Sequence, residues 1–221
     1  EKIDIGGISL IRAAAKNFAD VVIVASQAQY APLMDMLEEN GAQSSLEQRK
    51  FFAKEAFAVS SLHDSAIFNS FDGGNASAFR YAKDDAKTLR YGENPHQKGY
   101  FYGNFDEMFE QLQGKEISYN NLLDIDSAIN LISEFDDITF AILKHNNACG
   151  LASRPTLLEA WNDALAGDPV SAFGGVLIAN APIDKATAEE INKIFFEVII
   201  APDYDMDALE ILSQKKNRII L

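Results

Sequence analysis

The run ITFAILKHNNACG at residues 138–150 decides how this chain is read. The β-favouring residues from Ile138 to Leu143 predict a fully buried strand, and Lys144, His145, Asn146 and Asn147 follow it without a break. A strand that merely surfaced would leave through turn residues with one or two charges. Here a cation, a titratable base and two amides stand side by side. Open α/β sheets place ligands at such carboxyl ends. Taken alone, the run supports two readings: a chemical site, or a solvated strand end whose asparagines turn the chain.

Downstream, residues 156–166 predict a helix with Trp161 in the core, and DPVSAFGG at 168–175 predicts a turn that feeds a strand over 176–179. A helix over 184–196, a strand over 197–202 and a last helix over 205–216, basic at its carboxyl end, complete that side. Upstream, 105–113 reads as a short helix ending at Gly114, and residues 118–126 lead into a helix running to about 135. Further back come a strand over 21–24, a helix over 30–40 closing on Gly41, and helical periodicity over 45–71 in one helix or two. The polar, glycine-rich break at 72–77 and the charged stretch after it set a boundary between domains at 1–82 and 83–221. Strands alternate with helices throughout. The fold class is therefore α/β, with mostly parallel sheets covered by helices.

At 221 residues and 48% hydrophobic, the chain can bury a substantial core. Its formal charge of −14 argues against nucleic acid as a partner, because phosphate backbones are held by surplus Lys and Arg. A small anionic ligand remains compatible, since a few basic groups focused in a cleft set the local potential; Arg12, Lys16, Arg90 and Lys144 are the candidates. No apolar run reaches transmembrane length and no leader pattern opens the chain, so the expectation is a cytoplasmic protein. The single cysteine, Cys149, provides neither a disulfide framework nor a multi-cysteine zinc site. Both ends read as cut. Glu1 runs almost at once into a Gly-Gly turn, and residues 218–221 read as the opening of a strand.

Two other stretches carry candidate binding groups. Gly6 and Gly7 precede a short helix on which Arg12 and Lys16 lie four apart, a pattern that serves either as a turn or as an anion loop. LRYGENPHQ at 89–97 gathers Arg90, Tyr91, Asn94, His96 and Gln97 around a Gly and a Pro, the composition of a recognition loop. His63 has no second ligand at helical spacing and is read as a packing or surface residue.

Together, LRYGENPHQ, KHNNACG at 144–150, DPVSAFGG, EVIIAPDY at 197–204 and the front motif IDIGGISLIRAAAKN at 3–17 closely resemble the bacterial bifunctional AICAR transformylase and IMP cyclohydrolase family. The resemblance implies the end of a methylglyoxal-synthase-like cyclohydrolase domain over 1–82, followed by part of a cytidine-deaminase-like transformylase domain over 83–221. It implies formyl transfer from 10-formyltetrahydrofolate to the amine of AICAR, then cyclisation to IMP, in a homodimer. By position, Lys144 and His145 match the family's catalytic pair, and Asp4 and Lys16 match cyclohydrolase residues. Arg90, Tyr91, Asn121 and Glu197 match nucleotide contacts, while Phe173 and Gly174 match the slot shared with the folate. No metal is implied. Ala148 and Ile8 stand where the family's motifs usually carry proline. Two rival readings are a non-catalytic nucleotide-binding or dimerisation module and a zinc nucleobase deaminase, the latter disfavoured by the lone cysteine.

Overall fold

In the computed structural model, which describes residues 2–75, 77–83 and 86–221, the run 138–150 is a β-hairpin rather than a strand that exits into solvent. The chain divides into two compact units, 1–84 and 85–221.

The first unit is helical. Helix α1 (Gly6–Lys16) packs on the long α3 (Leu46–Asp72), with α2 (Tyr30–Asn40) between them in sequence. Ala15, Ala53 and Ala56 are buried together, with Ile11, Phe18, Ile23 and Ala25 against them, so small residues bring the helices close. The periodicity over 45–71 resolves into one helix, opened by a reciprocal capping box between Ser45 and Gln48 and closed on Gly73 at φ 59°. Helix α2 ends on left-handed Gly41 at φ 60°, as expected. The strand expected at 21–24 is not formed. Those residues lack a hydrogen-bonded partner strand among the described residues, and β-favouring side chains alone do not make a ladder. Residues 76, 84 and 85, within the stretch expected to be irregular, lie outside the described residues.

The second unit begins with a two-stranded antiparallel ribbon, β1 (Ala86–Thr88) with β2 (Tyr100–Tyr102). Helices α4 (Phe105–Met108) and α5 (Tyr119–Ile132) precede the hairpin of β3 (Thr139–Lys144) and β4 (Asn147–Ser153). Then follow α6 (Leu157–Gly167), β5 (Gly175–Ala179), α7 (Lys185–Ile191), β6 (Phe196–Ile200), α8 (Met206–Leu212) and β7 (Ile219–Ile220). The sheet order is β4-β3-β5-β6-β7. It is mixed rather than mostly parallel: β3 runs antiparallel to both β4 and β5, whereas β5, β6 and β7 are parallel. No helix separates β3 from β4, so that pair closes as a local hairpin and reverses the direction that a crossover would have kept.

Alternate residues of the central strands face two cores. Phe140, Ile142, Leu177 and Ile199 pack with Trp161 and the buried faces of α6, α7 and α8. Ala141, Leu143, Val176, Ile178 and Val198 pack with Ile125, Ala128 and Ile132 of α5. Burial on both faces explains why these strands read as continuous apolar runs. The helix expected over 105–113 stops at Met108. Leu112 and Gln113 instead exchange backbone hydrogen bonds with Ile220, which draws the chain onto the sheet edge. Lys215 and Lys216 lie beyond the end of α8, so they do not serve its last turn. No helix among the described residues is long and apolar enough to cross a membrane.

Candidate active site

The hairpin turn is two residues long, His145 and Asn146, between the paired Lys144 and Asn147. Both turn residues have positive φ, 51° and 63°, the backbone signature of a type I′ turn. Asparagine tolerates this region and histidine visits it more often than most side chains, but glycine would be the ordinary choice. A bulge opposite Ile142 and Leu143 adds Cys149 to β4 just after the turn. Burial pushes the Cys149 thiol up from its ordinary value, and its Sγ donates to the Ile142 carbonyl, away from nucleophilic use.

Because β5 is antiparallel to β3, the amino ends of β5 and β6 lie beside the carboxyl end of β3. The site therefore forms where one strand leaves the sheet and two enter it, not at a shared carboxyl edge. Across this edge stands the amino end of α5. Its cap, Ser118, shares a capping box with Asn121, whose Oδ1 accepts from the Ser118 backbone N–H and hydroxyl. The Asn121 Nδ2 donates to no described residue and stays available at the rim.

These elements enclose a cavity of about 540 Å³, lined among others by Tyr91, Asn121, Lys144, His145, Gly174 and Glu197. The volume lies in the range of small-ligand clefts. Lys144 Nζ donates to the Phe173 carbonyl at 2.7 Å. Gly174 has φ 71°, and a Cβ there would lie 3.0 Å from Lys144 Nζ, so glycine permits the approach. The Phe173 ring is largely exposed and tilted against Phe195 at 5.3 Å between centroids, an apolar lip beside the polar cavity. Glu197 is paired with Lys115 at 2.6 Å. It also borders a neighbouring cleft of about 270 Å³ lined by Arg90, Lys115, Phe195, Phe196 and Asn217. Arg90 sits 5.5 Å from the Tyr91 ring centre, with its own backbone tied to Ile117. A guanidinium in the second cleft and an ammonium with an imidazole in the first suit a ligand with an anionic end and a reacting end.

The structure thus brings together eight of the sequence-predicted residues: Arg90, Tyr91, Asn121, Lys144, His145, Phe173, Gly174 and Glu197. Asp4 and Lys16 lie in the first unit, Asp4 just before α1 and Lys16 its last residue, so the length of the helix, roughly 15 Å at 1.5 Å per residue, separates them. The Asp4 carboxylate accepts from the Gly7 and Ile8 amides at 3.2 and 3.0 Å, so it occupies the helix end that could otherwise hold an external anion. Arg12 donates to Ser60 on α3 at 2.8 Å, which places it in the packing of that unit. Lys115 and Asp124 were not singled out in the sequence, because the first meets its partner across the sheet and the second reads as one acid in a helical LLDID. Among the described residues there is no cluster of His, Cys, Asp or Glu able to hold a metal ion.

A strand-end Lys-His turn facing a capped helix in an α/β unit frames a cavity of small-ligand size that presents an ammonium and an imidazole side by side. The model of the AICARFT/IMPCHase bienzyme family matches residues 14–221, and the chain belongs to that family. It is similar to the bifunctional purine biosynthesis protein PurH of Bacteroides thetaiotaomicron, 79% identical over 221 residues, which covers all of this chain and 44% of that protein. The PurH proteins of Rhodospirillum rubrum and Caldicellulosiruptor saccharolyticus are 48% and 45% identical, again across the whole chain and over 44% and 45% of their own lengths. The chain spans less than half the length of these relatives.

Proposed function

We propose that this chain carries part of an enzyme for the last two steps of de novo purine biosynthesis: formyl transfer from 10-formyltetrahydrofolate to AICAR, then cyclisation to IMP with loss of water. The observation that carries the reading is the convergence of Lys144, His145, Asn121, Gly174 and Glu197 on one cavity beside the Arg90 cleft. The amine of AICAR is conjugated with its ring and is a weak nucleophile. As its nitrogen bonds to the formyl carbon, the bond from that carbon to the folate nitrogen breaks, and one proton passes from the amine to the released nitrogen. His145 takes the proton, and Lys144 supplies charge to the transient oxyanion and the leaving nitrogen. Arg90 holds the phosphate, Tyr91, Asn121 and Glu197 contact the nucleotide, and Phe173 with Gly174 borders the folate.

In this reading the domains run 1–82 and 83–221, the first methylglyoxal-synthase-like with Asp4 and Lys16 serving cyclisation, the second cytidine-deaminase-like. The protein acts in the cytoplasm as a homodimer. Substituting His145 by Ala in the full-length protein tests the assignment. Formyl transfer is expected to fall at least 100-fold while calorimetry still detects nucleotide binding. Undiminished transfer removes His145 from the chemistry, and with it this reading.

A further inference from the structure

We infer that Asp124 is the positioning residue for His145, acting by locking the peptide plane between His145 and Asn146; the inference rests on the formyl-transfer reading above. The central peptide of a two-residue turn is the group that flips when one turn type converts to another, because its amide and carbonyl lie outside the strand ladder. In this turn both ends of that peptide are held. Its N–H, on Asn146, donates to Asp124 Oδ1 at 2.8 Å, across 22 positions of sequence from α5. Its carbonyl, on His145, accepts from Asn147 Nδ2 at 2.8 Å. A flip of that peptide would rotate ψ of His145 and take φ of Asn146 out of its positive value of 63°, and these two bonds oppose it.

The placement of Asp124 fits the role. It lies three residues after Asn121 and four after Asn120 on α5, so the three share the helix face that lines the cavity. Asn120 in turn donates to the Glu93 carbonyl at 3.0 Å, fixing that end of α5 against the 89–97 loop. The backbone from which the imidazole leaves is thereby tied to the same helix that presents the Asn121 amide. The distance between base and nucleotide contact is set by α5 rather than by the hairpin alone.

The test compares Asp124→Ala and Asp124→Asn in the full-length enzyme, with His145→Ala alongside. An asparagine keeps an oxygen that can accept from the Asn146 amide. Asp124→Asn is therefore expected to retain most of kcat, whereas Asp124→Ala loses tenfold or more in kcat with the nucleotide KM moving less than threefold. Asn147→Ala, which frees the other end of the same peptide, should show the same split, and it carries the test if Asp124→Ala does not fold. Three results overturn the inference: full kcat in Asp124→Ala, or in Asn147→Ala where Asp124→Ala does not fold; equal loss in the Asn and Ala variants at Asp124; or a loss confined to KM. If His145→Ala itself transfers formyl groups normally, the proposed reaction fails instead. With His145 essential and Asp124→Ala fully active, only the positioning role fails.

Discussion

Lys144 Nζ donates to the Phe173 carbonyl oxygen at 2.7 Å, tying the cation at the end of β3 to the turn that enters β5. The tether runs past Gly174, whose left-handed φ of 71° and open α-carbon allow the ammonium through. Alanine there would set a methyl group 3.0 Å from Nζ and about 3.5 Å from the Phe195 ring. Gly174→Ala is expected to lower kcat for formyl transfer by about tenfold and to cost roughly 1–2 kcal/mol of stability from the backbone conformation alone. Steady-state kinetics and thermal melts of the full-length protein check both.

Gly150 is a tighter case. A Cβ on it would fall 1.9 Å from the Ala164 carbonyl oxygen, which is backbone and has no rotamer to give. The contact is where β4 meets α6, at the edge of the core that holds Trp161. Gly150→Ala should therefore destabilise by about 3 kcal/mol, at the upper end for inserting a methyl group into a packed interior. Denaturant titration followed by Trp161 fluorescence measures it, and a loss below about 1 kcal/mol would mean that the seam can open.

Lys115→Met leaves Glu197 without its partner at the border of the two clefts. Both side chains are partly solvated, so the stability cost should stay under about 1 kcal/mol. Binding should suffer more, because the freed carboxylate is no longer drawn away from the ligand's anionic end. We expect the nucleotide KM to rise several-fold with kcat nearly constant. A Lys115→Arg variant, which can still pair, should restore most of the affinity.

Tyr204 gives a pH-dependent test remote from the chemistry. Its hydroxyl donates to the Leu221 carbonyl at 2.9 Å, and burial raises the phenol far above its ordinary value of 10.0. The folded state thus holds this proton more tightly than the unfolded chain. The contribution is complete below about pH 10 and declines as pH rises above it, where only the unfolded form ionises. Alkaline ultraviolet titration of the full-length protein should show a tyrosine that resists ionisation until unfolding. Tyr204→Phe should delete that step and flatten the alkaline loss of stability.

Much of this was legible in sequence because both faces of the sheet are buried: the runs at 140–143, 176–179 and 198–200 are continuous and apolar, and their ends are marked by polar or glycine-rich turns. The polar groups after Leu143 pointed to the cavity that Lys144, His145 and Asn146 line. Their geometry was not legible, since His-Asn carries no Asn-Gly signature and the partner strand, built from Asn147, Ala148, Cys149 and Gly150, is weak in β-formers. Missing the hairpin also made the sheet look parallel. Asp124 and Lys115 escaped for a different reason. Their roles exist only through partners 22 and 82 positions away, and spacing along one segment cannot reveal such pairs.

Those separations also govern when competence arises during folding. Asp124 to Asn146, Lys144 to Phe173 and Lys115 to Glu197 each close a loop, the last across 82 positions. Loop closure costs entropy before the contact repays it, so the longest tie forms after the strands between its ends have docked. A nascent chain that has made the His145 turn but not β6 holds Lys144 and His145 without the Lys115–Glu197 pair. On the formyl-transfer reading, full nucleotide affinity would then arise only once β6 has docked, later than any signal from the hairpin.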